Sequence, residues 1–267
     1  MAKGYRKPYS IRRKKYWWKS KLLWFGIAIL FLSAIAVYGA VFSSIFALDK
    51  ITIEGNRKVL TEDIESVTSS LTKQHLLILE LQNMLFINSN QISSKLSESF
   101  PALESVEVKR KFFHELHITV KERRQAAVWC VREECFAFDK EGVSFEKQVI
   151  GDSIVFSREE EDIPVLGESI IDAELLSNIL KFTKQVQAFP IFLDTENRVS
   201  AITLVSPDRI VVSFSEGWDI YITPKEDFDW QKTKLDLVLE EKVSPERRES
   251  LEYIDLRFGS QAFIKDR

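Results

Sequence analysis

The 267-residue chain has three histidines, and two of them flank a glutamate in the run HELH, His114 to His117. His and Glu this close are the residue types of a zinc protease. That signature sets two His at i and i+4 on a helix, both aimed at one metal, with a Glu as general base. Here the spacing is i, i+3, in the second of two alternating runs, SVEVKR and ELHITVKE. Alternation at every second residue predicts two strands of a hairpin joined by Lys111–His114. Residues three apart on a strand point to opposite faces, so the imidazoles diverge. His117 alternates with Leu116 and Ile118 and is expected on the outward, polar face, while His75 is expected in a loop. Surface histidines, no metal and no catalytic set are the expectation. None of the nine glycines forms a phosphate-binding G-x-G-x-x-G or G-K-[ST] arrangement, so no cofactor is expected either.

What must position these residues begins with an anchor. Nine of the 37 Lys and Arg fall in residues 1–21, which carry no acid; the remaining 28 against 40 Asp and Glu leave the rest at −12. Leu22 to Leu48 is then 27 residues without a charge. A bilayer core needs about 20 apolar residues in helix, whereas a secretory signal has only ~7–15. The run predicts an uncleaved membrane span. Nine basic residues before it, against Asp49 and Lys50 after it, predict a cytoplasmic N-terminus. Trp17, Trp18 and Trp24 fall at the expected inner interface. The juxtamembrane position of the tail points to anionic lipid and not to nucleic acid.

Beyond the span, Lys50–Gly55 reads as a strand and turn. Thr61 is the expected N-cap of a helix with Ile64, Val67 and Leu71 on one face. A second helix near Asn90 carries Ile92, Leu96 and Phe100 and stops at Pro101, before the hairpin. After Glu122 short strands surround turns at Arg132–Glu134 and Lys140–Gly142. Further strands are expected at Arg198–Val205, Asp208–Ser215, Trp218–Thr223 and in the runs LEYIDLRF and QAFIK. Helices are expected at Asp172–Phe189 and about Glu226–Glu240. The fold class is α+β: one transmembrane helix, then a β-α-α-β-β domain and a second domain built on an antiparallel sheet. The expected divisions are a tail at 1–21, a span at 22–48, and exported domains at 49–122 and 123–267.

Several of these runs together resemble the FtsQ/DivIB family of bacterial cell-division proteins. ITIEGNRKVLTEDI is similar to the opening of that family's POTRA domain. FPALESVEVKRKFFHELHITVKER is similar to its P-x-[VI]-x-x-[AV]-x-V-x-R-x-x-P-x-x-L-x-I-x-V-x-E-R run, AFDKEGVSF to its D-x-x-G-x-x-F segment and YIDLRF to its I-D-L-R-[YF] strand. Phe113 and Gln125 stand where the family usually has proline. The resemblance implies a noncatalytic bitopic scaffold whose exported domains bind FtsB (DivIC)-like and FtsL-like proteins and support the septal peptidoglycan synthase. It places partner capture on the strand with Arg257, Phe258, Ser260, Gln261 and Phe263, by strand addition at a sheet edge. Arg257 is the expected partner for an acid and Phe258 an aromatic anchor, although residue type alone fits a core Phe258 and a snorkelling Arg257 equally well. Val108 and Arg110 on the POTRA strand are a second docking candidate.

Independently of the resemblance, WCVREECF sets Cys130 and Cys135 around an expected two-residue turn at Arg132–Glu133. As a non-hydrogen-bonded cross-strand pair their Cα atoms would be ~4.5–5.5 Å apart. An exported disulfide and two buried thiols both satisfy that pattern. Two other classes compete with the scaffold. A membrane-anchored hydrolase has only the Glu159–Asp162 acidic run to recommend it, and an envelope-assembly factor usually carries several POTRA copies.

Overall fold

The computed structural model describes residues 21–42, 46–76, 79–81, 83–111, 114–148, 151, 153–158, 163–189, 192 and 197–267. Residues 1–20 of the basic tail, Phe113 and the Glu159–Asp162 run lie outside them.

Helix α1 (Lys21–Phe42) has no buried residue. Its 22 residues at about 1.5 Å each make a rod of ~33 Å, matched to a ~30 Å hydrocarbon core. The uncharged run continues to Leu48, but the helix does not. Ala47 bridges Asn83, and Leu48 packs on the core of the first folded domain.

That domain comprises β1 (Lys50–Glu54), α2 (Thr61–Thr72), β2 (Gln74–Leu76), β3 (Leu79–Leu81), α3 (Ser89–Ser99), β4 (Leu103–Lys111) and β5 (Glu115–Glu122). Its main sheet has the order β1-β5-β4, with β1 parallel and β4 antiparallel to β5. Alternation on β5 turns Leu116, Ile118 and Val120 inward, where they meet Ile64 of α2 and Ile92 and Leu96 of α3. Helix α3 starts where the Asn88 side chain accepts from the Asn90 and Gln91 N–H groups. Thr61 is not the N-cap of α2. Leu60 holds that position without a side-chain cap, and the Thr61 hydroxyl instead accepts from Asn56 Nδ2 at 2.9 Å.

Two histidine expectations are corrected. His75 lies in β2, part of a small hairpin with β3 that the sequence reading left as loop. His117 is 9% exposed, because β5 is the central strand and its outer face is flanked by Thr52 and Lys109. Its Nε2 lies 3.5 Å from Glu54, whereas Nδ1 is buried without a hydrogen-bond partner among the described residues.

Glu122 ends β5, and Arg123 follows it at the junction of the two folded domains. Glu122 Oε1 accepts from the backbone N–H groups of Arg57, Lys58 and Val59 at 2.7, 2.8 and 2.9 Å. Partial burial pushes its carboxyl up, but the three N–H donors outweigh this and hold it below the usual carboxylate range. Arg123 donates from its backbone to Ala102 O and from Nε to Pro101 O, while Nη1 pairs with Asp139 of the second domain. Asp139 Oδ1 in turn accepts from Glu141 N and Val143 N, both at 3.0 Å, and shapes the turn. Gly142 there has φ +77°, and a Cβ would lie 2.2 Å from Ile171 O, so the D-x-x-G pattern requires glycine.

The second domain comprises β6 (Ala127–Val131), β7 (Glu134–Phe138), β8 (Ser144–Gln148), β9 (Val155–Arg158), α4 (Ala173–Gln187), β10 (Val199–Ser206), β11 (Arg209–Phe214), β12 (Asp219–Ile222), α5 (Phe228–Lys242), α6 (Pro245–Ser250), β13 (Leu251–Phe258) and β14 (Gln261–Asp266). One nine-stranded sheet runs β14-β13-β12-β11-β10-β9-β6-β7-β8. It is mostly antiparallel, with parallel junctions at β12–β13, β9–β10 and β6–β9. Helices α4 and α5 supply Leu176, Ile179, Phe182, Val186, Leu235 and Leu239 to its core. Asp172 and Asp227 cap their N-termini by accepting from Leu175 N and Trp230 N.

Candidate partner-binding edge

Among the described residues, strand β14 pairs only with β13, which leaves its other side an open edge. Ala262 and Ile264 pack inward against the core, which turns Gln261, Phe263 and Lys265 outward. Phe258 is 51% and Phe263 50% exposed. Their rings meet edge-to-face at 5.3 Å, so Phe258 is a surface aromatic and not a core residue. Ser260 sits in the turn between the strands and is exposed, as is Gln261, which pairs with Phe258.

Arg257 is engaged within the free chain. Its Nε and Nη2 donate to the two oxygens of buried Asp255 at 2.9 and 2.6 Å, and its charge lies 5.4 Å above the Phe258 ring. The Asp255 carboxylate holds the guanidinium above its ordinary pKa. Arg257 is therefore fixed in place by Asp255.

Three further residues shape this edge, and the sequence reading missed them. Trp230 of α5 is 45% exposed and donates from Nε1 to Gly259 O at 3.1 Å, which sets a third aromatic ring beside the turn. Lys234, buried to 4% exposure, donates to Gly259 O at 2.7 Å, to Leu256 O, and to Glu226 at 3.0 Å. Glu226 also accepts from Gly259 N at 2.8 Å. Burial pushes the Glu226 carboxyl up, but the Gly259 N–H and the Lys234 ammonium overcome it and keep it low. The turn is thus clamped from both backbone polarities. Pre-ordering of this kind lowers the conformational cost of binding. The available signal was a Trp off the Phe228, Leu235, Val238 stripe of a helix whose buried face also takes in Gln231 and Lys234.

The second candidate looks different. Strand β4 is also an edge, but Val108 is half-buried against the domain core, and Arg110 is exposed yet donates from Nη2 to Ile87 O. Only the backbone and the outward residues of β4 remain to be read.

Elsewhere in the sheet, Cys130 and Cys135 are a register pair across the β6–β7 hairpin and are joined as a disulfide. Arg132 in its turn has φ 56°, a left-handed conformation uncommon outside glycine. In the oxidised chain, a thiol-alkylating reagent is expected to label neither cysteine before reduction and both after it. Equal labelling without reductant would show two thiols instead. Gln125, at the other departure, donates to Ser153 Oγ at 3.0 Å.

Among the described residues no group of three or more His, Cys, Asp and Glu comes together as metal ligands. A cleft of about 480 Å³ at the domain junction is lined by Arg57, Lys58, Lys121, Glu122, Arg123 and Arg124 with no His or Cys. Lys58 there is paired with Glu146, Lys121 with Glu104 and Arg123 with Asp139, which describes a structural ion-pair network.

Among the described residues, one apolar helix long enough to cross a membrane precedes a small domain with a three-stranded main sheet and a larger domain on a nine-stranded sheet, the layout of a single-pass membrane protein. Residues 46–123 match the family model described as POTRA domain, FtsQ-type, and residues 127–257 match that of cell division protein FtsQ/DivIB, C-terminal. The chain belongs to the FtsQ/DivIB family of bacterial cell-division proteins, a family of non-catalytic division scaffolds. No curated protein matches the chain.

Proposed function

We propose that this chain holds FtsB/DivIC-like and FtsL-like division proteins at its exported sheet edge and through them supports septal peptidoglycan synthesis. The observation that carries this is β14: the last strand of the sheet, with one edge unpaired among the described residues, Phe258 and Phe263 half-exposed at it and its turn clamped by Glu226 and Lys234. A partner segment added along β14 takes up its unpaired N–H and C=O groups, and the outward aromatics select its side chains. An acidic partner residue meets Arg257 at Nη1. The POTRA edge at β4 is a second, lesser contact. The basic tail of residues 1–21 sets the N-terminus in the cytoplasm and both domains outside it.

A fluorescent fusion to the N-terminus of the full chain tests the cellular half of the reading. It is expected to gather at midcell in dividing cells, and depletion is expected to yield filaments or chains. Uniform membrane fluorescence, with normal septa and defective envelope proteins on depletion, would favour an assembly factor instead.

A further inference from the structure

The turn after β3 is built into the end of the membrane helix. The last four carbonyls of a helix have no partner within it. At the end of α1, Asn83 Nδ2 donates to Ala40 O at 3.0 Å and to Val41 O at 2.9 Å. Phe46 O accepts from Met84 N at 2.8 Å, and Ala47 bridges Asn83. Asn83 Oδ1 also accepts from Leu85 N, and Asn83 O accepts from Phe86 N. Asn83, Met84 and Ile87 are buried, at 4%, 3% and 2% exposure; Leu85 and Phe86 between them are 48% and 49% exposed. A polar, satisfied anchor thus presents two large apolar side chains outward. In the sequence, the whole stretch from Leu76 to Ile87 carries a single charge, Glu80.

The position of this turn relative to a bilayer follows from α1. The helix is about as long as the hydrocarbon core is thick, so Ala40 and Val41 lie at its outer boundary. Leu85 and Phe86 are two and three residues from the side chain bonded there, within roughly 10 Å of chain. That reach coincides with the headgroup and acyl boundary, where interfacial apolar residues settle ~5–10 Å deep. We propose that the Asn83–Phe86 turn is a membrane foot: Leu85 and Phe86 enter the outer face of the same bilayer that α1 spans. The occupant is lipid. The foot fixes the height of the POTRA domain and joins it to the helix as one unit, where a loose tether would let it swing.

The test uses the full chain with Cys130→Ser and Cys135→Ser, a single Leu85→Cys carrying an environment-sensitive fluorophore, and phosphatidylcholine–phosphatidylglycerol vesicles. Phe86→Cys serves as a second labelling position, and Leu237→Cys on α5, 52% exposed in the other domain, as the control. Acyl-chain nitroxide lipids are expected to quench labels at 85 and 86 about twofold or more, with little effect at 237. Labels at 85 and 86 that are quenched by aqueous iodide as readily as the one at 237, and untouched by the nitroxide lipid, would overturn the proposal. Because these vesicles contain no other protein, a surface reserved for a protein partner gives that second result.

Discussion

Replacing Phe258 by glutamate is expected to abolish capture of an FtsB/DivIC-like partner by the full chain while leaving the chain folded. The ring is half-exposed and touches Phe263 at 5.3 Å, so the core loses nothing when it goes. A partner strand on β14 loses an aromatic anchor and meets a new carboxylate close to Glu226, whose Oε1 binds the next residue, Gly259. Aromatic anchors of this kind contribute about 2–4 kcal/mol, or roughly 30- to 1,000-fold in Kd. Affinity measured by surface capture, together with an unchanged circular dichroism spectrum and melting temperature, checks both halves. Wild-type affinity in the variant would remove this edge as the docking site.

Arg123→Ala is expected to have the largest effect on stability. Arg123 is 15% and Asp139 4% exposed by side chain. Removing the guanidinium leaves a buried carboxylate facing no cation, and also deprives Pro101 O of its donor. Breaking one partner out of a buried pair costs about 3–5 kcal/mol. Urea unfolding in detergent, followed by the fluorescence of the buried Trp129 and Trp218, reads the loss. The double variant Arg123→Ala/Asp139→Asn is expected to recover part of it, since neutral asparagine still accepts from Glu141 N and Val143 N. Equal losses in single and double variants would mean that the ion pair is not what joins the domains here.

Strands that alternate cleanly were readable without coordinates. β1, β4 and β5 each set apolar residues against polar ones at every second position, because one face of each meets a core. The β2–β3 hairpin was not readable, since LLILEL is apolar except for Glu80 and offers no period. Nor was β9, whose four residues, Val155 to Arg158, run parallel to neighbours on both sides and are too short a run to show a period. His117 failed for a related reason. Alternation tells which face a residue takes, but whether flanking strands cover that face depends on strand order. At the β14 edge, Phe258 and Phe263 came from family likeness. Trp230 and Lys234 did not, because their part in the site depends on α5 crossing beside a turn about 25 residues away in sequence, a contact no local signal encodes.

The most direct measurement is amide hydrogen exchange along β14 in the full chain, with and without a bound FtsB/DivIC-like segment. Strand addition predicts that every second amide from Gln261 to Asp266, those pointing away from β13, becomes slow to exchange when the segment binds. Binding that leaves those amides exchanging as in the free chain, with new protection elsewhere, would contradict the account.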